Sequence, residues 1–174
     1  VSVTDRCNLR CKYCMPNGIE CVGHKDILSF EEIRQIAACG AKLGITKIRL
    51  TGGEPLARKG CPQLIRMLKE IPGMEKIAMT TNGTLVRAIL PQLVEAGLDE
   101  INISLDTLDA EAFAQITGQD LLPEVLKSID ASLEAGLKVK VNAVSMPDTD
   151  WRRMVSLAKE KPVDVRFIEL MPIG

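Results

Sequence analysis

The sequence has no excess of either charge: 22 Lys and Arg stand against 23 Asp and Glu, a formal net charge of −1. That balance argues against a surface set by global charge to hold nucleic acid or an anionic membrane, although a local pocket can still be basic. It has no apolar run near the roughly 20 residues that a membrane-spanning helix needs. It has no segment with the three-part layout of a secretory signal. Histidine is almost missing: His24 is the single one, set in loop-like sequence, and reads as a surface residue rather than a ligand. No Met opens the chain, and Val1 falls inside a strand-like run, so the sequence reads as an excised segment of a longer protein.

The cysteines that are present are unevenly placed. Of six, three fall within eight residues, Cys7, Cys11 and Cys14, in the spacing C-x3-C-x2-C. Cys21, Cys39 and Cys61 are scattered, which is not the pattern of a disulfide framework. The compartment is therefore expected to be reducing, that is, cytoplasmic. Cys39 lies in the apolar run Ile36-Ala37-Ala38-Cys39 and reads as a small buried residue. Cys21 and Cys61 sit in loop-like sequence and receive no role.

Residues that are 46% apolar and 26% charged are ordinary for a globular domain, and 174 of them suffice for one domain with a substantial core. Strand-like runs at Val1–Asp5, Thr46–Thr51, Lys76–Thr80, Glu100–Leu105, Lys138–Val144 and Val163–Leu170 alternate with amphipathic stretches. Those helical patterns lie near Phe30–Leu43, Pro62–Ile71, Leu85–Ala96, Leu122–Ala135 and Trp151–Glu160. Ser29 before Phe30-Glu31-Glu32 reads as an N-cap with acids in the first turn, and Gly44, Gly97 and Gly136 stand where helix C-termini belong. Six such β–α units predict a parallel sheet with right-handed crossovers.

The strands alternate in polarity. Lys47, Arg49 and Thr51 share one face and Ile48 and Leu50 the other; Asn102, Ser104 and Asp106 oppose Ile101, Ile103 and Leu105. Lys138, Lys140 and Asn142 oppose Val139, Val141 and Ala143. A flat sheet covered on both faces by helices could not bury so many polar groups without partners. A curved sheet with a polar, ligand-filled lumen can. The expected fold is therefore a six-stranded parallel partial (βα)6 barrel, with its site at the C-terminal strand ends. Cys7–Cys14, Gly52–Pro55, Thr81-Asn82-Gly83 and Met171-Pro172 all fall there.

A tight loop after a strand can aim three thiolates at one small volume. A structural zinc site takes four protein ligands, whereas three thiolates fill three corners of a [4Fe–4S] cluster and leave one iron open. The spacing alone leaves open three buried free thiols, or a zinc site with its fourth ligand elsewhere. Tyr13 before Cys14, and Gly52-Gly53-Glu54-Pro55 after the second strand-like run, narrow the choice. With these motifs the chain resembles the radical S-adenosylmethionine (SAM) superfamily.

That resemblance implies a [4Fe–4S] cluster on Cys7, Cys11 and Cys14. It implies SAM contacts at the backbone of Tyr13, along Gly52, Gly53 and Glu54, and at Ser104 and Met171. Ser104 is independently plausible from its polar strand face, whereas Met171 by itself would read as a core filler. Val1–Asn8, Tyr13–Pro16, Ile48–Leu56, Thr80–Gly83, Asn102–Asp106, Lys138–Asn142 and Arg166–Met171 together resemble the GTP-cyclising branch of molybdenum cofactor biosynthesis. In that branch a 5′-deoxyadenosyl radical takes the C3′ hydrogen of GTP, and C3′ bonds to C8.

This second resemblance implies GTP contacts at Arg49, Thr80 and Lys140. Lumen-facing Arg and Lys need anionic partners, which a triphosphate supplies; the competing reading has them snorkel to the mouth or pair with Asp106 or Glu169. It also implies an external one-electron reductant of flavodoxin or ferredoxin type, and it allows a homodimer in the full-length protein. A second [4Fe–4S] cluster downstream and an arginine upstream are expected only there, so residues 1–174 read as the core barrel segment. Two rivals stand beside this reading. One is another radical SAM enzyme, peptide-modifying or of a heme pathway; the other is a non-catalytic module holding zinc on the three cysteines.

Overall fold

A computed structural model describes residues 1–15, 18, 23, 26–147 and 149–171. The sequence readings of Cys21, His24 and Pro172 lie outside the described residues. Helices form where an apolar stripe at helical spacing meets a cap. Helix α1, Phe30–Lys42, opens on Ser29, whose hydroxyl accepts from Glu32 N at 3.1 Å while Glu32 Oε2 accepts from Ser29 N at 2.7 Å. This reciprocal pair satisfies two donors that a helix start leaves free. After α1 the chain turns at Gly44, whose φ of +91° suits glycine. Helices α2 (Cys61–Lys69), α3 (Val86–Glu95), α5 (Leu122–Glu134) and α6 (Trp151–Glu160) match the expected stretches. Helix α4, Ala110–Thr117, is additional: Asp109 caps it through Ala112 N, and Gly118 closes it in the left-handed region.

Strands β1 (Lys47–Leu50), β2 (Lys76–Thr81), β3 (Glu100–Ser104), β4 (Lys138–Ser145) and β5 (Asp164–Glu169) form one parallel sheet. Their order is β1-β2-β3-β4-β5, each strand beside its predecessor. This winding makes an open, curved wall, as a partial barrel requires. The count differs from the expectation by one. The segment expected as a strand over Val1–Asp5 is reduced to a single bridge between Ser2 and Thr51. It still lies parallel beside β1, because Val3 N donates to Thr51 O and Thr51 N to Val1 O, each at 2.9 Å. The ladder stops there because Gly53 N, which would continue it to Val3 O, donates to Thr4 O at 2.8 Å, Glu54 N donates to Arg6 O at 2.7 Å, and Val3 O accepts from Arg58 Nη1 at 2.7 Å.

The outer face of the sheet carries Ile48, Leu50, Ile77, Met79, Ile101, Ile103, Val139 and Val141. All are buried in one cluster with Ile33, Leu64, Leu68, Leu93, Val125 and Ile129 from the helices. The inner face is polar, in rows set by the register. Arg49 pairs with Ala78, Ala78 with Glu100, and Glu100 with Lys138; one row higher stand Thr80, Asn102 and Lys140, and above them Ser104 and Asn142. The alternation in sequence thus becomes helices outside and a polar lumen inside.

Two cysteine readings need correction. Cys39 is exposed on α1, because the buried stripe of that helix runs through Ile33 and Ala37. Cys61 is not in a loop: it opens α2, is buried, and its thiol is pushed up to about 12, chiefly by burial and then by nearby Glu54. Among the described residues, no helix is long and apolar enough to cross a membrane.

The core account is testable by chemical denaturation. Ile101, 0% exposed in the middle strand, should cost about 2–5 kcal/mol when cut to Ala. Ile36, 57% exposed on α1, should cost under about 0.5 kcal/mol. Equal losses would contradict the division between outer core and surface.

Candidate functional site

The cysteine loop is pinned across the mouth of the wall at four places. Arg10 N donates to Thr117 O at 2.9 Å and Lys12 N to Ile116 O at 3.0 Å, so the last turn of α4 is its platform. Cys14 N and Met15 N both donate to Cys11 O, at 3.0 and 2.9 Å, closing the turn between the second and third cysteines. Tyr13 Oη donates to Asp106 Oδ2 at 2.7 Å, and Asp106 Oδ1 accepts from Val144 N at 2.8 Å. Asn8 Nδ2 donates to Thr84 Oγ1 at 2.9 Å, and Asn82 Nδ2 to Asn8 Oδ1 at 2.9 Å. Burial raises the Asp106 carboxyl, and burial with Asp106 raises the Tyr13 phenol, so this pair keeps its phenol proton at neutral pH.

Gly52 and Gly53 sit where backbones touch. A Cβ on Gly53 would lie 2.4 Å from Arg6 O and 2.6 Å from Asp5 O, and one on Gly52 would lie 2.5 Å from Thr4 O. Only glycine lets the turn after β1 lie against the chain leading into Cys7. Glu54 completes this joint and is 0% exposed. Its Oε1 accepts from Leu56 N at 3.0 Å and its Oε2 from Asn82 N at 2.7 Å, while Thr81 Oγ1 donates to both within 2.9 Å. Burial raises this carboxyl and the three donors pull it down, with burial the larger effect.

These elements enclose a cavity of about 250 Å³ lined by Cys7, Leu9, Cys11, Tyr13, Cys14, Met15, Thr51, Gly52, Gly53, Thr80, Thr81, Asn82, Ser104 and Val144. The structure thus brings together the three cysteines, Tyr13, Gly52, Gly53, Thr80 and Ser104. Glu54 lies behind the wall, as a strut joining β1 and β2. Met171 does not line the cavity; it follows β5 and is 67% exposed. A larger cavity of about 350 Å³, lined by Thr4, Arg6, Ile27, Ala57, Arg58 and Lys59, carries no thiol among the described residues. Its Arg58 is already bound to Val3 O and Leu28 O and stacked on Phe30.

The donor set suits a polynuclear iron–sulfur cluster. Burial, with Asp106 and the neighbouring thiols, pushes Cys11 up to about 12; burial and Cys7 also raise Cys14. Thiolates crowded in this way are held once cationic iron offsets their charge. Among the described residues, no group of three or more His, Cys, Asp or Glu is arranged to hold one metal ion. Thiolates of a cluster each bind a different iron and so need not converge on one point.

Arg49 and Lys140 stand on the lumen side beneath the cavity. Arg49 donates to Thr80 Oγ1 at 3.4 Å. Lys140, only 8% exposed, shares Glu100 with two other lysines: Glu100 lies 2.6 Å from Lys47, 3.8 Å from Lys76 and 3.8 Å from Lys140. Neither Asp106 nor Glu169 is its partner. Burial lowers the Lys140 ammonium and nearby Arg166 lowers it further, while Glu100 lies lower still than a free carboxyl, chiefly through Lys47. Among the described residues, the register sets Lys47, Arg49, Lys76, Lys138, Lys140 and Arg166 on this face with Glu100 and Asp164, so the lumen is short of negative charge. Asn102 Oδ1 and Asn142 Oδ1 are buried there without a protein partner. Sequence reasoning overlooked both, although their places on the polar strand faces were the available signal.

Across residues 1–160 the sequence matches the family profile of the Radical SAM superfamily. The chain belongs to this superfamily. Over its whole length this radical SAM chain is 49% identical to a GTP 3′,8-cyclase of Moorella thermoacetica and 48% identical to one of Alkaliphilus metalliredigens. It spans about half the length of these relatives, 55% and 56%. Among solved structures it is similar to Streptococcus suis SuiB bound to S-adenosylmethionine, with TM-score 0.84 at 20% identity over 99% of this chain and 40% of that one. It is likewise similar to methylornithine synthase (PylB), with TM-score 0.80 at 18% identity over 99% of this chain and 52% of the other. These likenesses show the radical SAM fold.

The glycine joint is open to test. Gly53→Ala must push the Asp5–Arg6 backbone away, so iron bound per chain after anaerobic reconstitution should fall sharply. Gly40→Ala in α1, where a Cβ meets the flexible end of Ile45 at 3.1 Å, should leave loading unchanged. Full loading of Gly53→Ala would contradict the joint.

Proposed function

We propose that the chain is the radical-generating barrel of a GTP 3′,8-cyclase. The whole protein would form (8S)-3′,8-cyclo-7,8-dihydroguanosine 5′-triphosphate from GTP in molybdenum cofactor biosynthesis. The observation that carries this reading is the shared cavity: three thiols of one loop face the strand ends, above a lumen short of negative charge. The relatives' name supplies the substrate. A [4Fe–4S] cluster with SAM, when bound, supplies a carbon-centred radical by one-electron reductive cleavage of a C–S bond. A flavodoxin- or ferredoxin-type protein would deliver the electron, in the cytoplasm. A homodimer and a second [4Fe–4S] cluster belong to the full-length protein under the same reading.

The chain's own residues then hold, orient and shield. Cys7, Cys11 and Cys14 hold the cluster. The backbone of Tyr13, Gly52 and Gly53 and the hydroxyl of Ser104, which line the same cavity, would hold SAM. Glu54 acts by fixing this edge rather than by touching the ligand, and Met171 would have to turn inward to contact it. Arg49 and Lys140 supply charged donors to the triphosphate, and Thr80 holds the Arg49 guanidinium in place. An incoming polyanion relieves the crowding of Lys140 against Arg166 and offsets its burial. The superfamily match over residues 1–160 favours this reading over the zinc-module rival.

Two measurements test this reading. Any of Cys7→Ala, Cys11→Ala or Cys14→Ala should abolish the cluster signal, and a full signal in one of them would overturn the ligand assignment. In the full-length protein, Arg49→Ala or Lys140→Ala should weaken GTP by roughly ten- to a hundredfold, from about 1.5–3 kcal/mol per charged hydrogen bond. SAM binding should be unchanged. Unaltered GTP affinity in both variants would remove GTP as the substrate while leaving the radical SAM assignment standing.

A further inference from the structure

Asn82 stands where β2 ends, and neither the thiol set nor the lumen charges account for it. Its amide orientation is fixed by its neighbours. One end of the amide faces Thr84 N at 3.0 Å and Thr84 Oγ1 at 2.7 Å. A backbone N–H can only donate, so that end is the oxygen and the other end is the NH2. The NH2 donates to Asn8 Oδ1 at 2.9 Å and to Cys7 Sγ at 3.8 Å. The backbone of Asn82 is tied as well, through its N–H to Glu54 Oε2 at 2.7 Å. Leu9 N is a further donor to Cys7 Sγ, at 3.4 Å. Among the described residues, Asn82 alone brings a side-chain donor to any of the three sulfurs.

We propose that Asn82 is a positioning residue whose side-chain N–H, aimed at Cys7 Sγ, sets the reduction potential of the cluster on the cysteine loop. This rests on the proposed function, since it presumes that cluster. One-electron reduction adds negative charge, part of which resides on the thiolate sulfurs. A fixed N–H dipole stabilises the reduced form more than the oxidised one and so raises the potential; hydrogen bonds to sulfur are one of the recognised controls on iron–sulfur potentials. The electron comes from the external one-electron donor and leaves in the C–S cleavage, so Asn82 would balance easy loading against drive for the next step. Glu54 enters this account indirectly, because it fixes the backbone from which the amide reaches.

The test is an anaerobic redox titration of the cluster in the reconstituted full-length protein, read by electron paramagnetic resonance. Asn82→Ala should move the reduction equilibrium against the reduced form by about tenfold, about 59 mV more negative for one electron. Asn82→Asp, which keeps the acceptor toward Thr84 but places a carboxylate at the sulfur, should move it further. Asn8→Ala leaves the Asn82 amide on Cys7 and should shift the potential least. A purely structural role would lower loading or melting temperature without moving the potential of the loaded fraction. If both Asn82 variants load and titrate at the unmodified potential, this inference is overturned while the proposed function stands. If the unmodified protein takes up no cluster, the proposed function itself fails. Should the variants not load, pulsed resonance on Asn8→Ala protein labelled with 15N-asparagine decides: a nitrogen coupling to the reduced cluster supports the contact, and its absence overturns it.

Discussion

A buried carboxylate joins the parts of this site. Glu54 accepts hydrogen bonds from Leu56, Thr81 and Asn82 and so locks the turn after β1 to the end of β2. On one side of that lock Gly52 and Gly53 lie directly on the chain that enters the cysteine loop. On the other, Asn82 reaches Asn8 and the sulfur of Cys7. Burying a carboxylate is costly unless its lone pairs are met, and here both oxygens are met by protein donors. Asp106 does the same at the far side of the mouth, where it receives Tyr13 and Val144. Each carboxylate binds two segments distant in sequence, and the cysteine loop hangs between them.

The lumen follows a different economy. Its walls hold Lys47, Lys76 and Lys140 around Glu100, with Arg49 on Thr80 and Asp164 beside Lys140 on β5, and the two amide oxygens of Asn102 and Asn142 lack protein partners. A packed core would not tolerate such an arrangement, since unpaired buried polar groups and like charges both cost stability. A ligand carrying several negative charges and a few hydroxyl or amine donors would satisfy it. The outer face shows no such tension, because its aliphatic side chains meet helices throughout. Stability is thus concentrated outside the wall and binding capacity inside it.

Much of this was legible in the sequence because it is locally encoded. Strict alternation along β1, β3 and β4 separates the two faces whatever else the chain does, and Ser29 and the glycines after α1, α3 and α5 act within a single turn. Features that depend on contacts across the fold were not legible. Glu54 reads as a ligand contact until Thr81 and Asn82, 27 and 28 residues away, are seen to enclose it. Tyr13 finds Asp106 at a separation of 93 residues. Helix α4 could have been read from Asp109 and Gly118, its cap and its stop, but its short apolar pattern is easily taken for loop. Cys39 misled because a short apolar run does not reveal which face of a helix is buried. The reduced first strand is a matter of competition, since Gly53 N and Val3 O, which would extend the ladder, take other partners.

The central claim is that Cys7, Cys11 and Cys14 together hold a four-iron cluster with one iron left open. Mössbauer spectroscopy of protein reconstituted with 57Fe, recorded with and without SAM, addresses it most directly. The account predicts that SAM changes the spectrum of one iron in four and leaves the other three, bound by the cysteines, as they were. A cluster whose four irons are all indifferent to SAM, or a preparation that binds zinc in place of iron, would contradict it.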